Sequence, residues 1–394
     1  MTPTFASLGV TTPIVDELAR RGITEPFPIQ ALTIADALAG RDVCGKAKTG
    51  SGKTLAFGIP TLQLVPKARP GRPSAIVLVP TRELASQVRD ELEPLGRAVD
   101  RTVAAIYGGD PIEKQVALLE AGVDLAVCTP GRAIDLIERK SLSVADVMQV
   151  IVDEADRMAD MGFLPQVEWI LRNVEGDHQT LLFSATLDGV VDTLVQRYQT
   201  DPVRHEVASD GVTVEEMHHR FLAVHEMDKA KVAASIIANS NRTIVFSATK
   251  HGADRLAGKL VELGVDAAAI HGDLRQNIRE RSLARFSEGK TQALVATDVA
   301  ARGIHVDDVD VVIHYDPPTD HKNYLHRSGR TARAGESGVV VTLVLWNQEL
   351  EVKRLMKRIG LDSPIVEVFS NDSRLEDLIG WDPALDVELP QATG

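Results

Sequence analysis

The chain has 394 residues, 44% of them hydrophobic, enough to bury a full core and, by length, to divide into two or three domains. Its formal net charge of −13 excludes a surface that coats nucleic acid through bulk positive charge, although local arginine clusters can still hold phosphates. The two cysteines, Cys44 and Cys128, both lie in apolar surroundings and imply no disulfide framework and no metal site, the N-terminus shows no signal peptide, and no run nears the ~20 apolar residues needed to span a bilayer. A reducing, cytoplasmic setting is expected.

Short apolar strand candidates alternate with helical patterns, which predicts a parallel-sheet α/β architecture. In the first half the strands fall at 75–79, 103–106, 124–128, 150–152 and 180–183, with a helix over 83–95. The stretch 198–219 is polar and carries Pro202 and Gly211, which places a junction near Ala208. In the second half the strands fall at 243–246, 267–270, 293–295, 309–314 and 339–345, with a helix over 275–286. The expected domains are therefore 1–208 and 209–372, followed by a flexible acidic tail over 373–394. That tail has no Arg/Lys-rich extension, so the chain reads as a bare core without an accessory binding domain. The string Phe-Ser-Ala-Thr occurs at 183–186 and again at 246–249, a weak hint that the halves are related folds.

Nearly every strand candidate runs straight into a small or charged cluster. These are Pro80-Thr81-Arg82, Tyr107-Gly108-Gly109, Thr129-Pro130-Gly131-Arg132, Asp153-Glu154-Ala155-Asp156 and Ser184-Ala185-Thr186. Ligands of open α/β sheets bind at the carboxyl ends of the strands, so all these clusters should crowd along one edge.

Ala47-Lys48-Thr49-Gly50-Ser51-Gly52-Lys53-Thr54 approaches the phosphate-loop pattern, with Ala47 where the general pattern has Gly. Gly50 and Gly52 let backbone N–H groups converge on phosphate oxygens, Lys53 brings a mobile charge to the outer phosphates, and the Thr54 hydroxyl can ligate Mg²⁺. Asp153 is a candidate for a water-mediated Mg²⁺ contact and Glu154 for the general base. Each string has a bland reading alone: a glycine turn that caps a helix, and an acidic first turn suited to a helix dipole. Both strings in one domain favour a nucleotide-hydrolysing site.

Taken together and in order, Phe5, 22–30, 47–54, 80–85, Gly108-Gly109, 129–132, 153–156, 184–186, 296–303 and 326–333 resemble the DEAD-box RNA helicases of helicase superfamily two. The resemblance runs from about residue 5 to 345. It implies an α/β fold of two tandem RecA-like domains, each a mostly parallel sheet flanked by helices, and an ATP-binding first domain. Gln30 would read adenine beside the loop Lys48, Thr49, Gly50, Ser51, Gly52, Lys53 and Thr54. Three departures stand out: Ile23 where the family usually has an aromatic, Phe27 for a usual Thr, and His305 for a usual Asp. Arg330 and Arg333 would be arginine fingers that reach the γ-phosphate.

The resemblance further implies that RNA is held by Thr81, Arg82, Gly109, Thr129, Gly131 and Arg132 in the first domain and by Gly272, Asp273, Gln276, Arg279 and Thr297 in the second. Such contacts read the backbone and the 2′-OH of a single strand or short duplex rather than base sequence. Ser184, Thr186, Asp156 and His326 would couple the domains. The expectation is thus an ATP- and Mg²⁺-dependent RNA helicase, monomeric and off the membrane, partnered by RNA and by ribonucleoprotein or RNA-decay proteins. An ATP-gated RNA clamp with little unwinding and a DNA-directed translocase are the rivals.

Overall fold

The protein is represented by a computed structural model that describes residues 3–48, 50–187, 189–207, 217–301, 309–331 and 338–386. It divides into two compact units, Met1–Ser209 and Asp210–Gly394. The first unit runs α1 (Thr12–Arg20), α2 (Pro28–Leu38), β1 (Val43–Lys46), α3 (Lys53–Leu64), β2 (Ala75–Leu78), α4 (Arg82–Ala98), β3 (Val103–Ile106), α5 (Ile112–Ala121) and β4 (Leu125–Cys128). It continues with α6 (Pro130–Glu138), β5 (Gln149–Asp153), α7 (Ala155–Asp160), α8 (Leu164–Asn173), β6 (Gln179–Ser184), α9 (Val190–Tyr198) and β7 (Val203–Glu206).

Its seven strands pair in the order β3-β4-β2-β5-β6-β1-β7, and every pairing is parallel. The strands are apolar throughout because both faces are covered. Val43, Val77, Ile151 and Leu181 face one core with residues of α1 to α4, whereas Cys44, Ile76, Val150 and Leu182 face a second core with residues of α5 to α9. A parallel sheet puts all carboxyl ends on one edge, so the clusters after β1 to β6 do converge.

The second unit contains β8 (His218–Ala223), α10 (Lys229–Ala238), β9 (Thr243–Phe246), α11 (Lys250–Glu262), β10 (Ala267–Ile270), α12 (Gln276–Ser287), β11 (Ala293–Ala296) and α13 (Asp298–Ala301). β12 (Val311–His314), α14 (His321–Ser328), β13 (Val339–Val344), α15 (Glu349–Arg358) and β14 (Ile365–Glu367) follow. The sheet order, β10-β11-β9-β12-β13-β8-β14, repeats that of the first unit strand for strand, again all parallel.

The halves are therefore the same fold, but the repeated Phe-Ser-Ala-Thr string is not the trace of it. The first copy ends β6; the second ends β9, whose counterpart is β2. What β2 and β9 do share is a threonine cap. Thr81 accepts from the Leu84 N–H at the start of α4, and Thr249 accepts from the Gly252 N–H at the start of α11.

The expectation of a flexible tail does not hold for residues 373–386. Leu375 and Leu378 are buried in the core beneath β8. Arg220 of β8 donates to the Leu378 carbonyl (2.9 Å) and the Trp381 carbonyl (2.6 Å), and the Trp381 ring lies 5.8 Å from Arg220 and 5.3 Å from Arg374. Acidity misled because Asp372 and Asp386 carry charge that Arg374 neutralises locally, each at 2.6 Å. Residues 387–394 lie outside the described residues.

Candidate active site and nucleic-acid interface

The nucleotide loop connects β1 to α3. The Ala47 N–H continues the sheet ladder onto the Ser184 carbonyl (3.0 Å), then the chain leaves the sheet. Gly50 (φ 81°) and Gly52 (φ 85°) take left-handed conformations that L side chains resist, and Gly52 forms the N-terminal boundary of α3. A Cβ on Gly52 would also fall 2.4 Å from Gln30 Nε2 and 2.6 Å from the Phe27 ring. Lys53 opens α3, is buried, and donates to the Ala47 carbonyl at 3.0 Å, across the mouth of the loop. Ser51 Oγ closes the turn on the Lys48 carbonyl (2.7 Å); Lys48 is exposed, and Thr49 lies outside the described residues. Thr54 occupies the second position of α3 and is half-buried.

Gln30 is 1% exposed. Its Oε1 accepts from the Phe27 N–H (2.9 Å) and its Nε2 donates to the Gly52 carbonyl (2.9 Å). One amide thus ties the start of α2 to the nucleotide loop, and each end keeps one hydrogen-bonding position for a base edge. Ile23 packs against the core, whereas Phe27 is 58% exposed next to Gly52.

The acid pair ends β5, with β6 between it and β1; at about 4.8 Å per strand this puts the carboxylates roughly 10 Å across the edge from the loop. Both acids are 3% exposed. Glu154 is a left-handed residue (φ 54°), a conformation that costs a non-glycine about 1–2 kcal/mol. Two contacts offset that strain. Asp153 Oδ1 accepts the Glu154 N–H (2.9 Å), and Arg157 pairs with Glu154 Oε2 at 2.6 Å. Arg157 is a site residue missed in the sequence reading; its i, i+3 spacing from Glu154 was the available signal.

Ser184 joins the two halves of this site. Its hydroxyl accepts from the Asp156 N–H (3.2 Å) while its carbonyl accepts from Ala47. Thr186 is exposed in an open cavity of about 490 Å³ with Lys46, Arg204, His205 and Glu206. The two cations there are balanced in place, Lys46 by Glu206 (2.6 Å) and Arg204 by Asp192 (3.0 Å), and His205 Nε2 lies 2.7 Å from Asp36 Oδ2.

On the β2, β3 and β4 part of the same edge, Thr81 caps α4, and Arg82 lies so close to Gly109 (φ 101°) that a Cβ there would meet Nη1 at 2.2 Å. Arg132 donates to Gln115 Oε1 (2.9 Å) and to the Asp110 carbonyl (3.3 Å), which locks the β4 loop to the β3 loop. Thr129 is half-buried before α6, and Gly131 is exposed in its first turn. These residues do gather on one edge, though Thr81 and Arg132 already hold structural bonds.

In the second unit the corresponding edge carries Gly272 and Asp273 after β10 and Thr297 after β11. Lys250 lies 2.6 Å from Asp273 and its hydrogen bond holds that carboxyl below its ordinary range. Arg279 is buried in α12; of Gln276, the backbone in α12 is described. Arg330 is 5% exposed just past α14, and His326 is half-buried on it. Arg333 and His305 fall outside the described residues. Arg327, absent from the sequence-based site, grips Asp298 through Nε (2.6 Å) and Nη2 (2.8 Å), a bidentate pair.

The chain matches the family model described as DEAD/DEAH box helicase over residues 27–194 and that described as Helicase conserved C-terminal domain over 228–335. It is 42% identical over 348 residues to the DEAD-box ATP-dependent RNA helicase CshA of Bacillus subtilis, which spans 87% of this chain and 70% of that protein. The chain belongs to the DEAD-box helicase family. DEAD-box ATP-dependent RNA helicase 9, mitochondrial, of Arabidopsis thaliana is 40% identical over 371 residues, 90% of this chain and 60% of that longer protein. Among solved structures, S. cerevisiae Dbp5 bound to RNA and ADP BeF3 is similar with a TM-score of 0.79 and 29% identity, over 94% of this chain and 96% of that one. The two parallel sheets are thus the tandem RecA-like domains of a DEAD-box protein.

Proposed function

We propose that this DEAD-box protein is an ATP-dependent RNA helicase in which ATP and RNA together close the two RecA-like domains, so that short RNA duplexes are opened locally or RNA–protein complexes are remodelled. The carrying observation is the shared carboxyl edge of the first sheet, where the glycine loop with Lys53 and the pair Asp153-Glu154 lie two strands apart and are joined through Ser184. Family membership supports ATP as the substrate and RNA as the partner. No helix among the described residues is long and apolar enough to cross a membrane.

In this reading the loop amides and Lys53 hold the outer phosphates, Lys53 exchanging the Ala47 carbonyl for a phosphate oxygen. Gln30 uses its remaining donor and acceptor on the adenine edge. Glu154, fixed by Arg157, accepts the proton of the attacking water, and Arg330 and Arg333 neutralise charge on the γ-phosphate. Thr54 and Asp153 fit Mg²⁺, which takes one or two protein oxygens and completes its shell with water and substrate phosphates; no group of three His, Cys, Asp or Glu among the described residues could cage a metal unaided. Mg²⁺ held there would supply positive charge to offset that of the phosphates. RNA lies along the loops after β2 to β4 and β10 to β11, held through its backbone, and Ser184, Thr186, Asp156 and His326 link its arrival to hydrolysis. The protein acts as a cytoplasmic monomer on RNA or ribonucleoprotein.

The test pairs two assays on one preparation: ATP hydrolysis with RNA or with DNA of the same sequence, and release of a labelled strand from a short RNA duplex. The expected result is stimulation by RNA over DNA together with ATP-dependent release. Equal stimulation by DNA contradicts the RNA assignment. Stimulation with protection of the RNA but no release makes the protein a clamp.

A further inference from the structure

Because the two sheets share one strand order, their positions can be compared strand by strand. β8 and α10 take the places of β1 and α3, and β12 takes that of β5. Lys229, the first residue of α10, therefore stands where Lys53 stands at the start of α3, and Asp316, just past β12, stands at the edge position of the acid pair. The loop between differs. His225-Glu226-Met227-Asp228 replaces Gly50-Ser51-Gly52 with a glycine-free stretch carrying two acids, and Asp228 is engaged by the Ser370 N–H (2.7 Å) and hydroxyl (2.9 Å). Acids on that loop repel a phosphate, and without glycine its amides have no easy route to converge on one.

Lys229 nevertheless stays buried, at 4% exposure. Its ammonium lies 3.5 Å from Asp316 Oδ1 and 4.4 Å from the centre of the Tyr315 ring. Burial lowers its pKa and Asp316 opposes the shift. The other oxygen of Asp316 accepts from the Ala248 N–H (2.8 Å) and the Ser247 hydroxyl (3.2 Å) at the end of β9. Its carbonyl accepts from Arg327 Nη1 (2.7 Å), and Arg327 is the residue that grips Asp298, next to Thr297. Beyond Ala248 come Thr249, the cap of α11, and Lys250, which binds Asp273. Both nucleic-acid loops of the second unit, at 272–273 and 297, are thus tied to Asp316 within two or three contacts.

We propose that Lys229 and Asp316 are positioning residues for RNA: at a loop mouth placed like that of the first unit's nucleotide loop, the protein's own carboxylate takes the phosphate's place beside the lysine and braces the loops that grip RNA. This rests on the RNA-helicase reading above. Asp316 is 31% exposed, so without Lys229 its side chain turns to water and the β9 end loses its anchor. RNA then meets loops that must be ordered on binding, while the ATP loop of the first unit is untouched.

The experiment titrates single-stranded RNA into the ATPase reaction of the full chain. Lys229→Met/Asp316→Asn removes both charges at nearly constant volume and leaves no unpaired buried ion. The half-saturating RNA concentration should rise roughly tenfold, the worth of one charge-assisted hydrogen bond, while the maximal rate and the half-saturating ATP concentration stay as in the parent. Lys229→Arg, which keeps the pair, should leave RNA half-saturation at the parent value. The inference is overturned if half-saturating RNA does not move, or if only the maximal rate falls, even where the melting temperature drops. Should the double variant not fold, Asp316→Glu, which keeps the charge and moves the carboxylate by one methylene, is read by the same criteria. A parent chain that RNA does not stimulate removes the function reading and this inference with it; a stimulated parent with an unshifted variant removes this inference alone.

Discussion

The first and second units are built to one plan, with the same strand order, the same parallel edges and the same threonine cap after the third strand in the sheet. They differ in what fills the mouth of the first βα loop. In one, left-handed glycines turn the backbone and Lys53 donates to the Ala47 carbonyl. In the other, acids occupy the loop and Lys229 is neutralised by Asp316. Topology decides where loops meet, and a few residues at the meeting point decide whether that place holds a ligand or braces the protein.

The sharpest way to break this comparison is Glu154→Gln. If the acid pair of the first unit alone performs hydrolysis, turnover should fall by about 10²–10⁴ while ATP and RNA are still bound, as a filter-binding or fluorescence titration reports. Hydrolysis at the parent rate would place the base elsewhere. Next comes the lysine contrast. Lys53→Ala should weaken ATP by roughly 10–100-fold, whereas Lys229→Ala should leave ATP affinity unaltered; comparable losses would mean that both mouths see nucleotide.

A smaller effect separates the cores. Among the described residues the buried histidines His219, His271 and His314 all belong to the second unit. Burial, with Arg327 and His219 nearby, holds His314 well below the ordinary 6.5. The unfolded chain takes up a proton near that pH and the folded chain does not, so stability is full above it and is lost as pH falls below it. One unit lower the loss is about 1.4 kcal/mol, visible as an earlier urea transition that His314→Asn flattens. The smallest prediction concerns what the units share. Thr81→Ala and Thr249→Ala should each cost about 1 kcal/mol in chemical denaturation, and a clear inequality would show that the two caps are not equivalent.

Much of the fold was legible in advance because the central strands are continuous apolar runs that end in small or charged clusters. The strands that escaped detection are those whose residues answer to tertiary neighbours. β1 contains Gly45 because the Phe183 ring lies against it, so that a Cβ would fall 2.6 Å from Cδ1. β8 reads as a polar linker, His218-His219-Arg220, yet His219 meets the Tyr324 hydroxyl at 2.7 Å and Arg220 is buried among carbonyls. β7 and β14 are edge strands, half exposed and short. At the candidate site, the ordered motifs pointed to residues at the sheet edges but not to their partners. That Gln30 spans Phe27 and Gly52, or that Arg132 joins two loops, depends on chain segments brought together only by folding. Lys229 carried no motif, and its meaning emerged from the matched strand orders alone.

The central claim is that an ATP site built on the first RecA-like domain works only in concert with RNA and the second. Steady-state ATP hydrolysis by the intact chain, with and without single-stranded RNA, tests it most directly. The rate should climb several-fold as RNA is added and level off at saturation. A rate that is the same at every RNA concentration would contradict it.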